Sequence, residues 1–227
     1  FNSQKPVLFP DITYSFYKVW ADLYRISYET PALDENMAIR PLDYKGENGG
    51  IIFPNPNAPT GVYMPLDQVE EIVKANQDVI VIVDEAYIDF AGPSARELLS
   101  GYDNLLVVQT FSKSRSMAGV RIGFALGSPV LIKALNDVKY SYNSYTMNLP
   151  SQLAGTQAVK DRAYFEETRA KIMDTRERAK KRFAELGFTF PDSMTNFILV
   201  THERVPARAI FDALKKERIY VRYFNAP

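Results

Sequence analysis

Apolar residues recur along this chain in two patterns, one typical of helices and one of buried strands. Val7-Leu8-Phe9 is a short apolar run stopped by Pro10, which predicts the end of a strand. Over residues 14–25 the large apolar side chains Phe16, Tyr17, Trp20, Leu23 and Tyr24 recur at spacings of three and four, so this stretch is expected to be an amphipathic helix. Residues 50–53 read as a short buried strand, closed by the Pro- and Asn-rich stretch 54–61. Residues 66–75 read as a helix, with Asp67 and Glu70 placed where a helix N-terminus favours negative charge.

Val79-Ile80-Val81-Ile82-Val83 is an unbroken β-branched run, the pattern of a strand covered on both faces in a parallel sheet. Leu105-Leu106-Val107-Val108 is a second such run, and residues 120–126 are a third. Strands alternating with helices predict an α/β fold with a doubly wound, mostly parallel sheet. The texture changes after about Thr146. Residues 150–186 carry many charges on a helical apolar period, which predicts one or two long helices. Beyond them a strand is expected at 195–200, a helix at 206–216 and another strand at 219–223. The expected division is a large domain over 1–146 and, over 147–227, connecting helices with part of a small α+β domain.

Composition narrows the function classes. Lys+Arg and Asp+Glu balance at 27 each, so no global field draws the chain to nucleic acid or to a membrane surface. With no cysteine there is no disulfide, thiolate metal site or cysteine nucleophile. His202 is the sole histidine, reads as a surface residue, and no metal is expected. No apolar run is long enough to span a bilayer and no signal peptide opens the chain, which is compatible with a cytoplasmic location. The chain begins at Phe1 without a methionine and stops just after an expected strand, so a piece of a longer protein, truncated at both ends, is expected.

In open α/β sheets, ligands sit outside the carboxyl ends of the strands. Three polar clusters fall at such ends here: 55–61, 84–87 and 110–121. No Gly-x-x-x-x-Gly-Lys-Ser/Thr motif is present, which sets aside a phosphate-loop nucleotide enzyme. Taken together, Asn55-Pro56-Asn57-Ala58-Pro59-Thr60-Gly61, Asp84-Glu85-Ala86-Tyr87 and Ser112-Lys113 with Ala118-Gly119-Val120-Arg121-Ile122-Gly123 resemble the class I/II, fold-type I aminotransferases that use pyridoxal phosphate. Within that family, Asp84 to Phe90 together with Thr110-Phe111-Ser112-Lys113 is most similar to the branch acting on histidinol phosphate. The resemblance runs over essentially the whole chain.

The resemblance implies roles residue by residue. Lys113 is the lysine whose amine holds pyridoxal 5'-phosphate and shuttles a proton. Asp84 is the carboxylate partner of the pyridine nitrogen, and Tyr87 the hydroxyl donor to the ring's phenolate oxygen. Ser112 and Arg121, with Thr110 as a further contact, are the phosphate ligands, and Tyr14 is the aromatic that stacks on the ring. Arg222 is directed at a substrate phosphate, for which a guanidinium fork is suited. Glu85 and Asp89 read as structural, Arg115 as a solvated or interface charge, and Asn196 takes no role.

The implied activity is transamination between histidinol phosphate and 2-oxoglutarate, hence an amino-alcohol phosphate or amino acid and a 2-oxo acid as partners, in a homodimer. Alternatives are an aromatic amino-acid aminotransferase, a threonine-phosphate decarboxylase, or a catalytically dead α/β module. One position departs from the family pattern. Ala58 stands where the motif has the Asn that supports the phenolate oxygen, which leaves Tyr87 alone there unless Asn57 reaches in. The family's Gly-rich phosphate turn and its second substrate arginine fall before Phe1 and beyond Pro227.

Overall fold

The computed structural model describes residues 4–225. Its main sheet has six strands: β1 (Val7–Leu8), β2 (Tyr28–Glu29), β3 (Ile51–Pro54), β4 (Val81–Asp84), β5 (Leu105–Thr110) and β6 (Gly123–Gly127). They lie in the order β2-β1-β3-β4-β5-β6. All neighbours are parallel except β5 and β6, which run antiparallel with Leu106 opposite Gly127 and Thr110 opposite Gly123. Parallel neighbours need a crossover of a dozen or more residues, usually with a helix. After β5 the chain instead turns straight back through loop 111–122, so β6 can only pair antiparallel.

Successive strand residues point to opposite faces, and the core follows that rule. Leu8, Ile51, Phe53, Val81, Val83, Leu105 and Val107 form one cluster, covered by Val69, Ile72 and Val73 of α2 (Leu66–Ala75). Val7, Phe9 and Ile52 face the other way, against Tyr17 and Ala21 of α1 (Phe16–Tyr24). Helices on both faces explain why the strands are continuous apolar runs instead of alternating ones. Each of the fully buried Ile51, Phe53 and Val83 side chains gains about 1.5–3 kcal/mol over exposure.

The rest of the chain is mainly helical: α3 (Pro129–Tyr142), α4 (Leu149–Lys160), α5 (Arg162–Glu185) and α6 (Ala207–Lys216). A two-stranded antiparallel sheet, β7 (Phe188–Thr189) with β8 (Thr201–His202), joins α5 to α6. The break between α4 and α5 comes at Asp161, whose side chain caps the Tyr164 amide at 3.2 Å. Among the described residues, no helix is long and apolar enough to cross a membrane.

Three sequence expectations differ from the structure, and one helix had no counterpart among them. The expected strand at 120–126 starts at Gly123, because Val120 closes a 3-10 turn and Arg121 adopts a left-handed φ of 57°. The expected strand at 195–200 is a loop. There Ser193 Oγ and Thr195 Oγ1 both donate to the Phe197 carbonyl, at 2.5 and 3.0 Å, and side chains that bond nearby backbone in this way compete with a ladder. The expected strand at 219–223 has no ladder neighbour among the described residues. Arg218 leaves α6 with φ 61°, and Phe211 holds Tyr223 at 5.6 Å between ring centroids. Helix α3 was not anticipated, although Pro129 at its first turn and Leu131, Leu135 and Val138 at spacings of four and three announce it.

Candidate active site

Register brings the three polar clusters to one edge. Pro54 pairs with Asp84 and Asp84 with Val108, so β3, β4 and β5 end nearly level. The Asn55 amide still donates to the Asp84 carbonyl at 2.9 Å and the Glu85 amide to the Val108 carbonyl at 2.7 Å. Beyond these bonds the strands part, and the side chains of 55–61, 84–87 and 110–113 emerge side by side at the carboxyl end of the sheet.

Asp84 is half-buried. Its Oδ2 accepts from the Tyr17 hydroxyl at 2.8 Å and its Oδ1 from the Ala86 amide at 3.1 Å. Burial pushes its pKa up, against the pull of the Tyr17 hydrogen bond, the Ala86 amide and the nearby Lys113 charge. Burial, with the same Asp84 contact, pushes the pKa of the Tyr17 hydroxyl well above its ordinary value. Tyr17 is thus a site residue that sequence reasoning placed only on a helix face; its position three residues after Tyr14 was the available signal.

Lys113 and Tyr87 meet. The lysine Nζ lies 5.1 Å from the centroid of the Tyr87 ring, and the same ring packs edge-on with Phe197 at 5.0 Å. Glu85 supports this edge from beneath. It is 1% exposed and accepts from Ser94 Oγ at 2.5 Å, the Ala95 amide at 2.6 Å and Gln109 Nε2 at 2.7 Å. Burial raises its pKa despite those three donors. The structural reading of Glu85 and Asp89 agrees with this arrangement: Asp89 accepts from the buried Ser114 hydroxyl directly after Lys113.

At the mouth of the loop, Thr110 Oγ1 lies 2.9 Å from Ser112 Oγ and accepts from the Ser112 amide at 3.0 Å. Arg121 is exposed and donates to the Ala118 carbonyl at 2.9 Å, with no contact to Ser112. Tyr14 is 43% exposed and packs against Phe16 and Tyr17, both at 5.6 Å between centroids. Arg222 is exposed, stacks over Phe224 at 5.4 Å, and has no contact with the Lys113 group. The structure therefore brings together Lys113, Tyr87 and Asp84, with Ser112 and Thr110 adjoining and Tyr14 joined to Asp84 through Tyr17, while the hydrogen bond of Arg121 and the ring contact of Arg222 are made to their own neighbours in the chain.

Asn57 is committed elsewhere. Its Nδ2 donates to the Ile12 carbonyl at 2.9 Å and to Thr60 Oγ1 at 3.1 Å, and its Oδ1 accepts from Thr13 at 3.0 Å. Both amide donors are used, so Asn57 does not stand in for the asparagine replaced by Ala58. Gly61 closes this loop with φ 79°, and a Cβ there would meet Ser193 Oγ at 2.4 Å; only glycine lets the 193–197 loop approach this closely. Two further side chains are held by hydrogen bonds. Arg115 is partly exposed, with its guanidinium 4.1 Å from the Phe165 centroid and donating to the Ala158 carbonyl at 2.6 Å. His202 is half-buried, and its Nδ1 accepts from the Arg204 and Val205 amides at 3.1 and 3.2 Å.

The residues that meet fit pyridoxal phosphate. A carboxylate kept from water yet bonded only to neutral donors suits a protonated ring nitrogen, and a lysine amine beside a tyrosine suits the reacting end. The mostly parallel sheet with helices on both faces is that of the pyridoxal-phosphate-dependent transferases of fold type I. The profile of the family described as Aminotransferase class I and II matches residues 1–227, and the chain belongs to that family.

Among curated relatives, it is 49% identical over 225 residues to a histidinol-phosphate aminotransferase of Clostridium botulinum, covering 99% of this chain and 64% of the relative. It is 50% identical over 227 residues to the Pseudomonas putida enzyme of the same description, covering 100% and 65%. The chain thus spans about 64–65% of the length of these relatives. The crystal structure of histidinol-phosphate aminotransferase from Sinorhizobium meliloti in complex with pyridoxal-5'-phosphate superposes with a TM-score of 0.86 at 25% identity, over 96% of this chain and 62% of that one.

Proposed function

We propose that the protein carrying this chain is a pyridoxal-phosphate-dependent aminotransferase that moves an amino group between histidinol phosphate and 2-oxoglutarate, in histidine biosynthesis. The observation that carries this reading is the meeting of Lys113, Tyr87 and the half-buried Asp84 at one strand edge. The identity to relatives described as histidinol-phosphate aminotransferases supports the choice of substrate. When bound, pyridoxal phosphate supplies an electron sink for the pair released at the substrate α-carbon.

The side chains do the rest. Lys113 would hold the cofactor through its amine and, once freed by substrate, that amine would move the proton between the substrate α-carbon and the cofactor's C4′. Asp84 holds a proton on the ring nitrogen: burial alone disfavours its carboxylate form, and a cationic partner restores it. Tyr87 gives its hydroxyl to the phenolate oxygen without help from Asn57. Ser112, Thr110 and Arg121 bind the cofactor phosphate, Tyr14 covers the ring and Arg222 binds the substrate phosphate. The reading includes a division at 146/147 and a cytoplasmic homodimer.

Two measurements test it. Added pyridoxal phosphate should give a visible absorption band that Lys113→Ala abolishes, and Lys113→Ala should lower turnover by at least about 10²–10⁴-fold. Histidinol phosphate should be preferred over phenylalanine and tyrosine as amino donor. Preference for the aromatic acids would overturn the substrate; a spectrum identical to that of Lys113→Ala would overturn the site.

A further inference from the structure

We propose that Arg176 is a positioning residue of this site, holding Tyr87 in place by tying together the two backbone segments that fix its ring. The proposal rests on the reading of Tyr87 as the donor to the cofactor's phenolate oxygen. It begins from an oddity of α5: among its described residues the buried one is an arginine, with a side chain only 7% exposed. Placing a guanidinium there is costly unless its donors are satisfied.

The donors reach two distant segments. Nη1 gives to the Phe90 carbonyl at 3.0 Å and to the Thr195 carbonyl at 3.2 Å, while Nε gives to Glu177 at 2.8 Å. Phe90 belongs to the turn that carries Tyr87, its amide donating to the Tyr87 carbonyl at 3.0 Å. Thr195 lies two residues before Phe197, whose ring packs edge-on with Tyr87. The Thr195 and Ser193 hydroxyls both donate to the Phe197 carbonyl, so fixing Thr195 fixes Phe197. One side chain therefore sets the spacing between the turn that bears Tyr87 and the loop that bears its packing partner. Tyr87 in turn contacts Lys113. Both carbonyl bonds come from Nη1; a lysine at 176 is one bond shorter and has no Nε to hold Glu177, so its ammonium does not take the place of Nη1.

A purely structural role predicts something different. If Arg176 only anchors α5, its loss weakens cofactor binding equally whatever residue stands at 87. If it acts through the Tyr87 hydroxyl, its loss has nothing left to act on in Tyr87→Phe. The experiment is a double-mutant cycle on pyridoxal phosphate affinity, read from the visible band, for Arg176→Lys with and without Tyr87→Phe. In the wild-type background Arg176→Lys should weaken binding about 10-fold, a size usual for residues in one network. In the Tyr87→Phe background it should change affinity by less than about 2-fold. Equal losses in both backgrounds overturn the proposal.

Phe197→Leu should behave as Arg176→Lys does, and carries the test if Arg176→Lys fails to fold. A cofactor-free measurement separates this proposal from its parent reading. The nuclear Overhauser contact between the Phe197 and Tyr87 rings should be present in the wild type and lost in Arg176→Lys. Its persistence overturns the clamp even if the cofactor binds. Absence of any visible band in the wild type sinks the assigned function while the ring contact still decides the clamp.

Discussion

The sheet region before Gly127 and the helical region after Pro129 hide different kinds of residue. Among the described residues, every buried apolar side chain lies at or before Ile122. After Pro129 the buried side chains are Ser151, Arg176, Ser193 and Thr195. Helix α3 buries no residue at all, and Val138 and Tyr142 on it are 68% and 91% exposed. The first region is held by non-directional burial of apolar area. The second is placed on the first by directional bonds to carbonyls: Arg115 to Ala158, Arg169 to Asp89 and Arg176 to Phe90. The lesson is that stability and site geometry come from different interactions. The sheet makes the edge, and three arginines, of which Arg176 is buried, help decide how the remaining chain meets it.

The contrast is easiest to break with volume. Phe53→Ala empties a fully buried position on β3 against Tyr44 and should cost about 3–5 kcal/mol in urea unfolding. Val138→Ala, on α3, should stay within about 0.5 kcal/mol of the wild type. Comparable losses at the two positions would remove the distinction.

A smaller effect probes the charge buried at the sheet edge. The Asp84 pKa is raised by burial, so the folded state keeps a proton there that the unfolded chain has already released. The associated stability is complete below the ordinary carboxylate range, around pH 4, and is lost as pH rises through the raised value. Asp84→Asn should therefore unfold at a urea midpoint that falls less than the wild type's across that rise. Parallel midpoint curves for the two proteins would contradict the shift.

The smallest effect lies inside the core itself. Tyr44 is 1% exposed, and its hydroxyl has no hydrogen-bond partner among the described residues. Burial drives its pKa far upward. Tyr44→Phe removes an unsatisfied polar group without emptying volume, so stability should be unchanged or rise by up to about 1 kcal/mol. A clear loss would mean that the hydroxyl is satisfied in solution.

Much of this was legible beforehand, where local pattern and tertiary demand agree. Residues 66–75 form the expected helix with the expected bounds, because Val69, Ile72 and Val73 already mark its buried stripe. The apolar runs before Asp84 and Gln109 became the central strands because only a two-sided cover stabilises such runs. The pattern failed where the deciding partner is remote. Residues 195–200 and 219–223 have strand-like composition, but hydroxyl bonds occupy one segment and no neighbour pairs with the other.

The sequence by itself determined the chemistry available at the strand ends: a lysine after β5, an aspartate closing β4, a tyrosine three residues on. Strand ends follow from where apolar runs stop, and that is local information. Only the tertiary structure decided which of these side chains meet. Parallel register levels β3, β4 and β5, so Lys113 reaches Tyr87 and Asp84 takes the Tyr17 hydroxyl. It also recruited Arg176 and Phe197, which nothing in their own neighbourhoods marks out. Their importance comes from two carbonyls and one ring far away in the chain, contacts that exist only once the chain has folded.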